Sequence, residues 1–485
     1  MNLPLLSILL CLPLLGIAIL WLLPTRQSRW AAMLIQSLVL IVSCVVLFGF
    51  EPSGERYQWL ERIVWIPSLN IQYLLAVDGL SVLFLPATAL LFLGALVASW
   101  NLVKDAPRLY YSFLLLLQTA TLGIFCALDL VLFFFFWELT LPALYFLLGR
   151  WGVAPNSQQV AARYVLIMLA SGIPLLIALL VLATNQTVVS FDLIKLLAEP
   201  LPHSAQTLFF ILCLIGFGVK VPLVPVHTWL PQFSLAAPGS ITALLVGLKI
   251  GAYGLIRFAL PLAPDVAPSY HWLLAGLGTL SLLYGAVGML SQRNLRGSMA
   301  YASICHVGLV VLGLASFSTQ GVYGAVSLML SFSVATGGGF LLLEFLRQRT
   351  GTTDMDSLGG VAKTMPLLTT GFLVCGLAGV GMPGTSSFPG EFLLILSALN
   401  KHTGSGMAAL FGLVIAASAF LAVFRKSFFG PVTCPAVAQA SDLRPRERLV
   451  LLALILIIFV IGFYPSPWMD IVRPAAEVWV AGFNR

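Results

Sequence analysis

Fourteen runs of about twenty predominantly apolar residues follow one another along this 485-residue chain, each long enough to cross the hydrocarbon core of a bilayer as a helix. They lie near residues 3–23, 30–50, 80–100, 109–127, 128–148, 160–183, 206–234, 240–260, 272–290, 296–316, 320–346, 366–400, 405–428 and 447–464. Lipid offers no hydrogen bonds, so a spanning segment must satisfy its own backbone, and a helix does this within one segment. The expectation is an all-α polytopic membrane protein of about fourteen transmembrane helices. Composition agrees: 60% of residues are hydrophobic and 9% charged, against roughly 45–50% and 25% in a soluble domain.

The formal charge of +7 does not indicate nucleic acid, because the 25 basic residues stand singly between apolar runs and form no patch. The seven cysteines, at 11, 44, 126, 213, 305, 375 and 434, are also single, without zinc or iron-sulfur spacing. They read as lipid-facing or core-filling residues. No dinucleotide or phosphate loop appears, so no cofactor is expected in this chain and redox energy must come from partners. The first run lacks a basic leader and is long enough to span, so it reads as a retained helix.

Two runs are too long for one straight helix and carry prolines in the middle, Pro222 and Pro225 in the seventh and Pro383 and Pro389 in the twelfth. Proline removes a backbone donor, and lipid tolerates the break only where protein or a wet cavity satisfies the freed groups. The seventh and twelfth helices are therefore expected to be discontinuous. Gly218-Val219-Lys220-Val221-Pro222 also pairs with Gly379-Val380-Gly381-Met382-Pro383, five spans apart. An odd offset reverses direction, the pattern of inverted repeats whose broken helices form a transport site. The corresponding division is 1–108 for helices 1–3, 109–262 for one five-helix repeat, 263–430 for its inverted partner, and 431–485 for an inner loop and helix 14.

With the N-terminus outside, sixteen basic residues fall at inner helix ends and seven, Arg257, Arg473 and Arg485 among them, at outer ends. The two left over, Lys220 and Lys249, lie inside spans, as do Glu138, His227, His306 and Glu391. Ionisable groups are costly there and mark function by default. Glu138, Lys220, Lys249 and His306 sit near the midpoints of four spans, hence near one depth, where they suit a relay along the membrane plane better than a vertical pore.

Burial makes a carboxylate hold its proton more tightly and a lysine less tightly, which brings both toward exchange near neutrality. A lysine approaching or leaving a carboxylate would then switch it, so Glu138 and Lys220 form either such a switch or a static ion pair. Lys249 has no evident acidic partner. His306 reads as a relay member or as a neutral histidine bonded to a carbonyl, and His227 as a secondary relay candidate or as a group satisfying open backbone after Pro225. Phe133–Phe136 reads as lipid-facing or packing bulk. Asp78, Asp129 and Glu344 fall near helix ends, where solvated or capping roles are expected.

Three motifs carry a resemblance. Phe133-Phe134-Phe135-Phe136-Trp137-Glu138, Gly218 to Pro222 continuing through Val226-His227-Thr228-Trp229-Leu230-Pro231, and Gly381-Met382-Pro383-Gly384-Thr385-Ser386 through Gly390-Glu391-Phe392 resemble the chain M branch of the antiporter-like (Mrp-type) membrane subunits of proton-translocating NADH-quinone oxidoreductase, complex I. Val77-Asp78-Gly79-Leu80-Ser81 and Gly462-Phe463-Tyr464-Pro465 look like the same family. Chain L relatives carry a long C-terminal lateral helix, whereas this chain stops soon after its last span.

The resemblance implies fourteen helices with two inverted five-helix repeats, a proton path through Glu138, Lys220, Lys249, His306 and Glu391, and no cofactor in this subunit. It further implies a place among other membrane-arm subunits in the bacterial cytoplasmic membrane or an equivalent energy-transducing one. Three departures stand out. Where the family usually has a histidine followed by glycine in the eleventh span, this chain reads Leu330-Ser331-Phe332-Ser333. Asn294-Leu295-Arg296-Gly297 replaces a usual Asp-Leu-Lys-Arg, and the stretch from Pro238 to Lys249 is short. They leave open a divergent paralogue in a cation/proton antiporter, a membrane-bound hydrogenase or an inorganic-carbon system, and a structural scaffold.

Overall fold

In the computed structural model, which describes residues 3–432 and 434–483, almost every apolar run is helical. The first helices are α1 (Leu5–Leu22), α2 (Ser28–Phe48), α3 (Phe84–Ser99), α4 (Pro107–Cys126), α5 (Leu130–Trp151) and α6 (Ser157–Thr184). A short α7 (Leu193–Ala198) precedes α8 (His203–Lys220), α9 (Trp229–Ala236), α10 (Gly239–Gly247) and α11 (Ile250–Gly254). Then come α12 (His271–Ser291), α13 (Leu295–Leu314), α14 (Thr319–Thr350), α15 (Val361–Thr364), α16 (Pro366–Gly379) and α17 (Ser387–Lys401). The last are α18 (Thr403–Phe428), α19 (Pro435–Ala438), α20 (Pro445–Phe463) and α21 (Ser466–Ala481).

Among the described residues, eleven helical stretches are long and apolar enough to cross a membrane, or twelve if the bent pair α20–α21 is one span. The third and twelfth expected spans hold shorter helices, α3 and α16, and the twelfth continues in α17. Both proline-bearing runs are broken where expected. α8 ends at Lys220 and α9 resumes at Trp229, while α16 ends at Gly379 and α17 resumes at Ser387. A third break was not anticipated: Lys249 takes a left-handed conformation (φ 48°) between α10 and α11, and a π-helical turn, Leu255–Ala259, follows.

The 32-residue α14 is the spine, buried along nearly its whole length. Peripheral helices instead expose apolar side chains one heptad apart: Leu34, Ile41 and Phe48 on α2, and Leu166, Ile173 and Leu180 on α6. Seven residues are close to two helical turns, so each set forms one stripe facing lipid. The Phe133–Phe136 run divides between both expected roles: Phe133 and Phe136 are buried, while Phe135 is exposed.

An antiparallel hairpin, β1 (Gln58–Ile66) and β2 (Ile71–Val77), interrupts the all-α pattern between α2 and α3. Its sequence is rich in β-branched and aromatic residues on either side of Pro67-Ser68-Leu69-Asn70, and Asn70 supplies the left-handed residue of the turn (φ 51°). After the last apolar run the chain also bends by 67° into amphipathic α21, which buries Val472, Ala475, Ala476 and Trp479. Arg485, counted at the outer side, lies outside the described residues.

The acids expected to be solvated or to cap at helix ends are all buried, and the capping role holds for Asp129. Asp129 caps α5 by accepting from Val131 N (2.9 Å) and Leu132 N (3.1 Å). Glu344 accepts from Gly239 N at 2.7 Å, where α10 begins, and pairs with Arg347 at 2.7 Å. Asp78 pairs with Arg257 at 2.5 Å, both almost fully inaccessible, so Arg257 is no surface charge. Arg296 is likewise buried, donating to the carbonyls of Ala237 and Leu235. The sequence places these groups near helix ends, but partners far along the chain take them out of solvent. Removing one member of a buried pair strands the other, at a cost of about 3–5 kcal/mol. Arg257→Met should therefore lower the unfolding midpoint of the purified protein, and adding Asp78→Leu should restore part of the loss.

Candidate functional site

Lys220 closes α8 at the first break. Its ammonium donates to the Trp137 carbonyl (3.3 Å) and the Thr140 hydroxyl (3.2 Å), and sits 3.7 Å from the centre of the Trp137 ring. Trp137 and Thr140 flank Glu138 on α5, so Lys220 is held by the carboxylate's neighbours. The two charges interact through space, yet no ion pair joins them, and Glu138 Oε1 is buried without a hydrogen-bond partner. The static pair is thus not what the fold builds. A side chain at Gly172 on α6 would press on the Glu138 carboxylate, so glycine makes the room it occupies. Pro142, one turn after Glu138, lacks the N–H that would bind the Glu138 carbonyl.

Lys249 owes its placement to the break between α10 and α11. Its ammonium donates to the Ser303 hydroxyl on α13 and lies 5.5 Å from the centre of the Phe332 ring. Among the described residues no carboxylate pairs with it. A cavity of about 20 Å³ lies between the two lysines, lined by Lys220, Lys249, Trp229 and Ser303. That is enough for a water molecule.

Beyond Lys249 the line meets Phe332, which is fully buried. Its ring centre is 4.3 Å from that of His306, so the phenyl group touches both the lysine and the histidine. The His306 ring faces the backbone of Ala302 and Gly379 without meeting full hydrogen-bond geometry, and Nε2 lies 4.0 Å from Glu391 Oε1. A second cavity of about 40 Å³ opens beside His306, lined also by Thr336 and Gly379. Glu391 follows the second break, and its carboxylate occupies the space where a side chain at Gly381 (φ 69°) would stand.

His227 lies against the open backbone at Pro225, as expected at the break, although neither ring nitrogen meets full hydrogen-bond geometry, and the ring packs edge-on against Tyr284 with centres 4.8 Å apart. Two of the groups that hold the lysines were not foreseen, Thr140 and Ser303. Ser303 had a signal: it lies three residues before His306, hence on the same face of α13.

The fold thus brings Lys220 and Lys249 to one small cavity, sets the Phe332 ring between Lys249 and His306, and puts His306 beside Glu391, with Glu138 next to the residues that hold Lys220. A model of the NADH:quinone oxidoreductase/Mrp antiporter transmembrane family matches residues 127–416, the segment that carries all of these groups. The chain belongs to this family. It is 35% identical to NAD(P)H-quinone oxidoreductase chain 4 1 of Synechococcus sp. (strain JA-3-3Ab), over 96% of this chain and 90% of that protein. It is 32% identical to NADH-quinone oxidoreductase subunit M of Rickettsia typhi, over 98% of this chain and 99% of the relative. A chain of respiratory complex I from Thermus thermophilus superposes with a TM-score of 0.91 at 29% identity, covering 99% of each. As a member of this family the chain is a multi-pass membrane protein. Among the described residues no group of three His, Cys, Asp or Glu side chains is arranged to hold a metal ion.

Proposed function

We propose that this chain is the proton-translocating, antiporter-like M-type subunit of a complex I-type assembly, moving protons through Glu138, Lys220, Lys249, His306 and Glu391. The observation that supports the reading is the succession of buried ionisable side chains from Lys220 to Glu391, with a water-sized cavity between the two lysines, the Phe332 ring between Lys249 and His306, and 4.0 Å between His306 and Glu391. Each group exchanges a proton through its side chain, and the two breaks let neighbouring helices shift the distances between them. Lys220 is the mobile charge: approaching Glu138 it favours the carboxylate, and held by Trp137 and Thr140 it leaves Glu138 to bind a proton. Ser303 holds Lys249 in line, and His227 is assigned to the open backbone beside Pro225.

The two breaks are read as equivalent positions of inverted five-helix repeats, 109–262 and 263–430, within fourteen spans. The subunit carries no cofactor in this reading, and electron transfer belongs to partner subunits of the same assembly. The test is proton flux in the reconstituted assembly. Lys249→Ala should abolish this subunit's share without loss of the protein from the membrane, and parental flux would refute the relay.

Phe332 sets the rate-limiting point of the relay, because a phenyl ring can neither accept nor donate a proton. Phe332→His would place two ring nitrogens between Lys249 and His306, one helical turn from Thr336. It is expected to assemble and to pump at least as fast as the parent. Failure to assemble would show that nothing near position 332 can satisfy an imidazole.

A further inference from the structure

Positive charge collects without an ion-pair partner where α2 and α20 begin. Arg29 and Arg446 each stand second in their helix, in the first turn, where the helix dipole is itself positive and disfavours a cation. Both guanidiniums gather on one indole: Arg29 lies 5.6 Å and Arg446 5.3 Å from the centre of the Trp100 ring. They repel each other through space, and the buried Tyr111 of α4 is near enough to feel both. Among the described residues no carboxylate forms an ion pair with either arginine, and Glu447, next to Arg446, is taken by Arg349. Arg446 Nε is buried without a hydrogen-bond partner.

An apolar strip leads away from this seat. α3 is buried over most of its surface, but Pro86, Leu90 and Leu93 are partly exposed, and Trp100 follows Leu93 by seven residues, so the four share one face. α20 borders the strip where a side chain at Gly94 would meet Val450. α2 borders it where Trp30, itself 64% exposed, packs edge-on against Trp100 with ring centres 4.8 Å apart. At 1.5 Å per residue the strip rises about 15 Å from Trp100 to Leu90, half the thickness of the hydrocarbon core and so the depth of one leaflet. Paired indoles at its foot suit the level where head groups meet the acyl chains.

We propose that Arg29, Trp100 and Arg446 seat the phosphate of an anionic phospholipid from the inner leaflet, whose acyl chain lies along the α3 strip between α2 and α20. A phosphate supplies the negative charge that two arginines and two helix N-termini face, and accepts charge-assisted hydrogen bonds from both guanidiniums. A free anion would leave Leu90 and Leu93 uncovered, whereas a lipid covers the seat and the strip together. On the orientation that the basic residues give, the seat lies at the inner face, where anionic head groups concentrate. The lipid then joins the start of α20 to the start of α2. Neither arginine belongs to the relay, so the site stands apart from the proposed function.

The experiment uses the assembled complex in nanodiscs, labelled with phosphatidylglycerol that carries a photoactivatable diazirine at the end of one acyl chain. Peptide mass spectrometry locates the label, which should fall on α3 around Leu90. The matching phosphatidylcholine probe has the same chains and no net charge, and it should label this segment at least about tenfold less, on the scale that two basic residues contribute at a membrane surface. Arg29→Gln combined with Arg446→Gln should lower labelling by phosphatidylglycerol to the level of the phosphatidylcholine probe. Equal labelling by the two probes, or parental labelling in the double variant, overturns the site, because any lipid then occupies the strip without help from the arginines. Displacement of the label by inorganic phosphate would show a seat for a free anion and overturns the lipid as its occupant. If the double variant does not assemble, the comparison of the two probes on the parent complex carries the same decision.

Discussion

Glu138→Gln should stop proton translocation through this subunit while leaving it assembled. The amide has the size and hydrogen-bonding capacity of the acid but cannot exchange a proton. Because Glu138 makes no direct ion pair in the fold, its replacement removes only a through-space attraction, and Lys220 keeps its bonds to the Trp137 carbonyl and the Thr140 hydroxyl. Stability should change little, and transfer through the subunit should fall by about 100-fold or more, the scale on which a positioned proton donor or acceptor contributes. Lys220→Arg should fail as well. A guanidinium stays protonated at any physiological pH, and its planar fork does not match the compact seat over the Trp137 ring. Proton flux per electron, measured beside the amount of assembled protein, checks both. Full activity in Lys220→Arg would make residue 220 a fixed electrostatic anchor, and full activity in Glu138→Gln would remove this carboxylate from the path.

Glu391→Gln should give a loss of the same order by a different route. Its carboxylate is the far end of the line, 4.0 Å from His306 and placed by the glycine at 381. With an amide there, a proton arriving at His306 has no acceptor, so His306, Lys249 and Lys220 cannot reset. The loss should therefore extend backward: charge movement at Lys220, followed by a vibrational or electrometric probe, should be impaired even though Lys220 is untouched. A variant that loses net flux but keeps normal charge movement at Lys220 would show that the line branches before Glu391. Unchanged flux would assign Glu391 to structure.

The breaks at 221–228 and 380–386 were legible in the sequence, as were the ionisable groups inside the spans, because both violate a rule that lipid enforces locally. A proline within an apolar run, or a lysine in its middle, is conspicuous without any knowledge of neighbours. The break at Lys249 was not legible. Leu248, Lys249 and Ile250 contain no proline or glycine, and the left-handed turn is held by tertiary contacts that include the Ser303 hydroxyl. The hairpin of β1 and β2 was passed over for a related reason: it is short, lies between spans, and is anchored by contacts far along the chain, such as Arg62 with Asp192 at 2.9 Å.

What the sequence determined by itself was the solvent of this protein, the approximate places of its spans, and which side chains are expensive enough in lipid to need a function. Each follows from the requirement that a segment in hydrocarbon satisfy its own backbone and carry few charges. The tertiary structure alone decided which of those side chains meet. It separated Glu138 from Lys220, put Ser303 on Lys249, set Phe332 between Lys249 and His306, and joined Asp78 to Arg257 across 179 positions of sequence. Such pairings depend on how each helix is rotated about its axis and where its neighbours lie. A hydrophobic run contains almost no record of either, since lipid and protein interior favour the same apolar residues.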